Sequence, residues 1–129
     1  MSYDINADTL ENRLHIDLTG RMDADEISDA ADVTVDEAEA LDDGFDIVNN
    51  LSGFKPPSPE AAKPIKRAQG QLKEMGVDRV IRVTDEETSR VVINAFERRS
   101  RDVGYSGETA DSVAEAERML EEQEVAGYA

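Results

Sequence analysis

Polar and apolar residues alternate near the start of the chain, over residues 3–7 and again over residues 14–18. A period of two is typical of strands that bury one face. The segment 8–12 between the two runs is rich in turn-forming residues. Together these features predict two strands that pair as a hairpin.

Four later segments have apolar residues at the spacing of an amphipathic helix. The segments are 23–41, 59–75, 84–103 and 112–120. Residues that favour helix initiation stand at their starts, namely Asp23 or Asp25, Ser58 followed by Pro59, Thr84, and Ser112. The β-branched run 33–35 predicts a weak point in the first helix. Pro64 predicts either a kink in the second helix or a helix that begins at Lys63.

Short apolar runs lie between these helices. Residues 45–48 and 77–83 predict two strands, and residues 105–110 predict a short edge strand. Strands that alternate with helices form mainly parallel sheets with right-handed crossovers, and the N-terminal hairpin makes this sheet mixed. We therefore expect one α/β domain over residues 1–129, with a sheet of four or five strands, about four helices, and a tail that frays from about residue 124.

Several junctions of this chain resemble the STAS domain, the fold of bacterial anti-sigma-factor antagonists (SpoIIAA-like proteins). Residues 14–23, LHIDLTGRMD, are similar to the strand, glycine and Asp that precede the family's first helix. Residues 50–54, NLSGF, are similar to its Asp-Leu-Ser-Gly-Val strand end, and residues 112–120 look like its last helix. The resemblance covers essentially the whole chain. It implies a non-enzymatic regulatory module that binds a kinase-like or sensor protein.

The family's phosphorylation switch is where this chain departs from the pattern. The family has Asp-Ser-Ser/Thr-Gly at the start of the next helix, whereas this chain has Ser58 and Pro59 at the Asp and phosphoacceptor positions. Asn50 stands where the family usually has Asp. The comparison therefore implies that the phosphoacceptor is not retained. Ser58 is the nearest hydroxyl, and a phosphate would be favourable at a helix N-terminus, but a plain N-cap is the alternative.

Acidic residues dominate the composition, with 30 Asp and Glu against 14 Lys and Arg and a net charge of −16. A dispersed acidic coat with few lysines looks like the cytoplasmic proteins of extreme halophiles, in which high salt screens the self-repulsion. Residues 55–104 interrupt this coat with 11 basic and 8 acidic residues. Nucleic acid is disfavoured as a partner, because phosphate contacts weaken as salt rises.

The basic residues of the middle third suggest a site for a protein partner. Those on the second and third predicted helices are Lys63, Lys66, Arg67, Lys73, Arg90, Arg98, Arg99 and Arg101. They would either line one surface or pair with neighbouring acids. The resemblance places partner binding on the loop 53–60 and the outer face of the second helix. The residues expected there are Gly53, Phe54, Lys55, Ser58, Glu60, Lys63, Lys66 and Arg67.

A second hypothesis is binding of a small apolar ligand or lipid, because STAS-like folds are similar to some lipid-carrier domains. Phe54, Ile65 and Val92 would then line an apolar pocket. In either case we expect a monomer.

The residue types give little support for catalysis or metal binding. There is no Cys, and His15 is the only histidine, on the polar face of a predicted strand, so we expect no thiol chemistry, metal site or cofactor. The acidic residues 85–87 follow a predicted strand, where α/β enzymes place acids, but a helix capping box accounts for them. A hydrolase that uses Asp85 is nevertheless a third hypothesis. We expect no enzyme. The absence of a long apolar run and of a signal peptide predicts a cytoplasmic protein with no membrane span.

Overall fold

The computed structural model describes residues 3–55, 58, 60–84, 90–103 and 107–127, with the backbone alone at 92, 96, 99–103 and 122–127. Its elements in chain order are β1 (Tyr3–Asp8), β2 (Arg13–Leu18), α1 (Ala24–Ala38), β3 (Asp46–Asn50), a 3₁₀ turn (Glu60–Ala62), α2 (Lys63–Glu74), β4 (Val80–Val83), α3 (Arg90–Val103), β5 (Gly107–Ala110) and α4 (Val113–Gly127).

Five strands form one sheet in the order β1-β2-β3-β4-β5. The β1–β2 pair is antiparallel and every other pair is parallel. The predicted α/β class and the mixed sheet that begins with a hairpin are therefore confirmed. Each parallel pair is joined through a helix, since parallel neighbours need a crossover connection.

The two faces of the sheet are covered by different helices, because side chains alternate between the faces along each strand. Ile16, Ile47 and Val80 lie on the face that packs against α1 and α2, which also pack against each other. We call this the α1–α2 face. Val48 and Ile81 lie on the opposite face, where α4 contributes Ala116 and Leu120 to a second core cluster. We call this the α4 face.

Helix α1 starts at a capping box. Asp23 accepts a hydrogen bond from the Glu26 backbone N–H at 2.9 Å, and the Glu26 side chain accepts one from the Asp23 N–H at 3.3 Å. The weak point predicted over 33–35 is not found, since α1 continues to Ala38. The Thr34 hydroxyl donates to the Ala30 carbonyl oxygen at 2.7 Å, so this buried β-branched residue has its polar group satisfied within the helix.

Helix α2 begins at Lys63, one of the two starts that Pro64 allowed, because a proline in the first turn loses no helical hydrogen bond. The Ser58 hydroxyl accepts a hydrogen bond from the Ala61 N–H at 3.2 Å, so it caps the 3₁₀ turn that precedes α2. The capping box predicted over 84–87 falls largely outside the described residues.

Strand β4 is shorter than the predicted strand 77–83. The Val77 N–H donates to the Leu72 carbonyl at 3.2 Å, and the Asp78 N–H donates to the Phe45 carbonyl at 2.7 Å. The first three predicted residues therefore form the connection from α2 into the sheet. None of the described helices has the length and apolar character needed to cross a bilayer.

Candidate functional site

A cavity of about 50 Å³ lies between the α1–α2 face of the sheet and the two helices. Apolar side chains form most of its wall, among them Ile16, Ile47, Ala31, Ile65, Ala68 and Leu72. A cavity needs roughly 10–15 Å³ for each water molecule, so this volume accommodates about three to five water-sized groups. The cavity is therefore sized for a small molecule.

Among the described residues, four polar ones line the cavity: Thr34 from α1, Asn49 from β3, Gln69 from α2 and Arg82 from β4. All four are buried. Asn49 and Arg82 are direct neighbours in the β3–β4 register, and Ile16 stands opposite Asn49 on β2. A buried polar patch within an apolar face is more informative than exposed polar residues would be, since burial of polar groups costs free energy unless they are hydrogen-bonded.

Asn49 carries the clearest sign of a binding role. The residue is 8% exposed. Its Oδ1 atom is buried and accepts no hydrogen bond from any residue that the structure describes. By contrast, the Oδ1 atom of the adjacent Asn50 accepts the Ser52 N–H at 3.1 Å. An unsatisfied buried acceptor costs about 1–3 kcal/mol, so Asn49 is poorly suited to a purely structural role.

Arg82 places a positive charge inside the protein next to the cavity. Its side chain extends across Gly107 of β5, and a Cβ atom at position 107 would come within 2.6 Å of the Arg82 Cζ atom. Only glycine leaves room for the guanidinium in this position. Arg82 is 3% exposed, so its charge is shielded from solvent and acts strongly on any neighbouring group.

The residues predicted for partner binding lie around the start of α2. Lys55, Glu60, Lys63, Lys66 and Arg67 are exposed, whereas Gly53 and Ser58 are half-buried.

Some of these residues are already engaged. Phe54 is 1% exposed and packs in the core, so it is not part of the outer surface. An Arg67 Nη2–H donates to Asp32 Oδ1 at 2.8 Å, and this exposed ion pair links α2 to α1. The Ser58 hydroxyl accepts a hydrogen bond from the Ala61 N–H, as a cap does.

Among the described side chains, the predicted apolar pocket and the observed cavity share one residue. Ile65 lines the cavity, while Phe54 packs elsewhere in the same core and the Val92 side chain lies outside the described part of the chain. Sequence reasoning missed Asn49 and Arg82. The available signal was strand alternation, which puts Asn49 on the same face as the apolar Ile47.

Three described ionisable groups have shifted pKa values. Arg79 and Glu108 pair beside α4, and Asp46 is the first residue of β3. The Arg79 guanidinium binds the Glu108 carboxylate through two hydrogen bonds, of 2.6 and 2.7 Å, and also donates to the Met119 carbonyl oxygen at 3.1 Å. This contact lowers the pKa of Glu108 and raises that of Arg79. Burial raises the pKa of Asp46.

His15 is predicted on the polar face of a strand, where a residue is exposed to solvent. It is half-buried, with Nε2 at 3.9 Å from a Glu117 carboxylate oxygen of α4. Asp85, the residue of the hydrolase hypothesis, lies outside the described residues. Within residues 3–55, 58, 60–84, 90–103 and 107–127, no three His, Asp or Glu side chains gather in a way that could hold a metal ion.

Comparisons with protein-family models, with curated proteins and with solved structures found no match to this chain. The resemblance to the STAS domain therefore stays a prediction. The geometry of the cavity is the strongest pointer to function.

Proposed function

We propose that this chain is a non-enzymatic binding domain that holds a small, mostly apolar molecule between its sheet and helices α1 and α2. The observation that carries the proposal is Asn49, a buried amide whose carbonyl oxygen has no described donor in a mostly apolar cavity. Small-molecule sites typically combine an apolar wall with a few convergent polar groups.

The polar groups of the cavity favour binding over catalysis. General acid–base chemistry needs a group that gains and loses a proton near the working pH. Among the described lining residues only Arg82 is ionisable, and a guanidinium stays protonated in proteins. Asn49 and Gln69 can orient a ligand by hydrogen bonding but do not transfer protons.

The size of the cavity favours a short ligand over a long lipid chain. A volume of about 50 Å³ is well below the roughly 150 Å³ of an engineered apolar cavity that binds benzene. A lipid chain would require α1 and α2 to separate. The Arg67–Asp32 ion pair joins these helices at the surface and opposes that separation only weakly, since exposed pairs contribute about 0–1 kcal/mol.

A cavity-filling variant tests the proposal. In methyl-detected NMR titrations with 1-butanol in molar KCl, we expect saturable shifts at Ile65 and Leu72 of the unmodified protein. Ala68 lines the cavity from α2, so Ala68→Val fills it with two added methyl groups and should abolish these shifts. Ala114→Val makes the same change at an exposed position of α4 and should leave them unchanged. Equal binding by all three proteins, or no saturable shifts, would refute the proposal.

A regulatory protein-docking surface is the second candidate function, as the STAS resemblance implies. The observation in its favour is the cluster of exposed bases Lys55, Lys63, Lys66 and Arg67 in a chain of net charge −16. The double reversal Lys63→Glu and Lys66→Glu should abolish capture of a kinase-like or sensor protein in molar KCl. Lys73→Glu, in the last turn of the same helix, is the control that should retain capture. For both functions we propose a cytoplasmic monomer without cofactor or nucleic acid.

A further inference from the structure

We infer that the ligand of the cavity carries a neutral hydroxyl group on a short apolar body, an inference that rests on the proposed function. Asn49 Oδ1 is a hydrogen-bond acceptor, it is buried, and no described residue donates to it. A ligand that satisfies this atom must bring a donor. The requirement comes from the protein's own polar group and is independent of how tightly the apolar wall binds.

The charge beside the cavity limits which donor is acceptable. A ligand ammonium would lose its hydration among apolar side chains, and Arg82, which also lines the cavity, carries a charge of the same sign. A carboxylate has no proton to give and would place its lone pairs against Asn49 Oδ1. A primary amide can also donate, but it brings two donors and an acceptor and therefore needs more partners in the wall than a group with one donor.

Among the remaining donor groups, a hydroxyl group needs the fewest hydrogen-bond partners when it is buried. It donates one hydrogen bond, and its oxygen can accept one from a neighbouring donor of the wall. Ile16, Ile65 and Leu72 surround the polar patch with apolar surface, which favours a hydrocarbon body. The cavity volume of about 50 Å³ limits that body to a few carbon atoms.

Four probes with equal numbers of non-hydrogen atoms separate these chemistries: 1-butanol, diethyl ether, propanoate and butylammonium. The alcohol and the ether are isomers that differ in having or lacking a donor. In NMR titrations in molar KCl, followed at the methyl groups of the cavity, we expect 1-butanol to bind about tenfold more tightly than diethyl ether, since the ether leaves a buried acceptor unpaired. Propanoate and butylammonium should bind more weakly than the alcohol.

The variant Asn49→Leu isolates the contribution of the amide. It keeps the branching of the side chain and removes the acceptor, and its larger methyl groups reduce the space for both isomers alike, so the alcohol and the ether should bind this variant with equal affinity. An ether that binds the unmodified protein as tightly as the alcohol, or preferred binding of propanoate, overturns the hydroxyl assignment and leaves the proposed function standing. If none of the four probes shifts the methyl groups of the cavity, the hydroxyl assignment and the proposed small-ligand function both fail.

Discussion

Replacement of Asn49 by leucine should stabilise the protein while it removes the ligand's polar contact. Asn49 is 8% exposed and its Oδ1 atom accepts no described hydrogen bond, so the folded state retains the desolvation cost of that atom. The cost is about 1–3 kcal/mol for a buried unsatisfied group. Leucine has the same branching and the same number of side-chain non-hydrogen atoms, its larger methyl groups can extend into the adjacent cavity of about 50 Å³, and it has no polar atom to satisfy. We therefore expect the free energy of unfolding to rise by about 1–3 kcal/mol.

The same estimate converts into a thermal shift. The entropy of unfolding scales with chain length, so for a domain of 129 residues each kcal/mol corresponds to about 4 °C in Tm. Asn49→Leu should therefore raise Tm by about 4–11 °C. The assay is thermal unfolding followed by circular dichroism in molar KCl, which screens the repulsion of the acidic surface.

Asn50 provides the matched control on the same strand. Its Oδ1 atom accepts the Ser52 N–H, so Asn50→Leu removes a satisfied hydrogen bond and should lower Tm. Asn49 is buried and Asn50 is half-buried, so the sign of the change in Tm, rather than its size, distinguishes an unsatisfied amide from a satisfied one. A fall in Tm for Asn49→Leu comparable to that for Asn50→Leu would refute the claim that the Asn49 acceptor is unsatisfied.

Two further predictions concern parts of the fold outside the cavity. Gly76 has a φ of +96° and Gly44 a φ of +85°, so Gly76→Ala and Gly44→Ala should each lose about 1–3 kcal/mol in urea unfolding. A Cβ at position 76 also meets the carboxylate of exposed Asp43, which must rotate away, so Gly76→Ala should lose no less than Gly44→Ala, where the space is open. Arg79 lowers the pKa of Glu108, so their contact stabilises the fold above the usual Glu pKa and this contribution is lost as the pH falls through the folded-state value. Glu108→Gln should therefore destabilise the protein at about pH 7, and the difference should shrink toward about pH 3.5 in urea unfolding; a constant difference would contradict this.

Hydrophobic periodicity predicted the helices and strands well, because apolar side chains from helices pack against each face of the sheet. The hairpin, the helices and the parallel strands follow from residues that alternate or recur at helical spacing. Element ends were harder to predict. Val77 continues the apolar run of β4, yet its N–H caps the end of α2, and only the three-dimensional connection decides between the two roles.

The site was less predictable than the fold, since it depends on register. Asn49 and Arg82 lie far apart in sequence and become neighbours only when β3 pairs with β4. A polar residue within a strand can equally face solvent or the core, and the sequence does not reveal which inward polar group lacks a partner. Phe54 shows the converse, because an aromatic residue in a predicted partner-binding loop packs inward.

The location of a bound probe tests the central claim most directly. Isotope-filtered NMR can detect nuclear Overhauser effects between 1-butanol and the methyl groups of the protein in molar KCl. We predict contacts to Ile65, Leu72 and Val80, which line the cavity. Contacts confined to Leu10, which is 97% exposed at the hairpin turn, would contradict the account and indicate surface association alone.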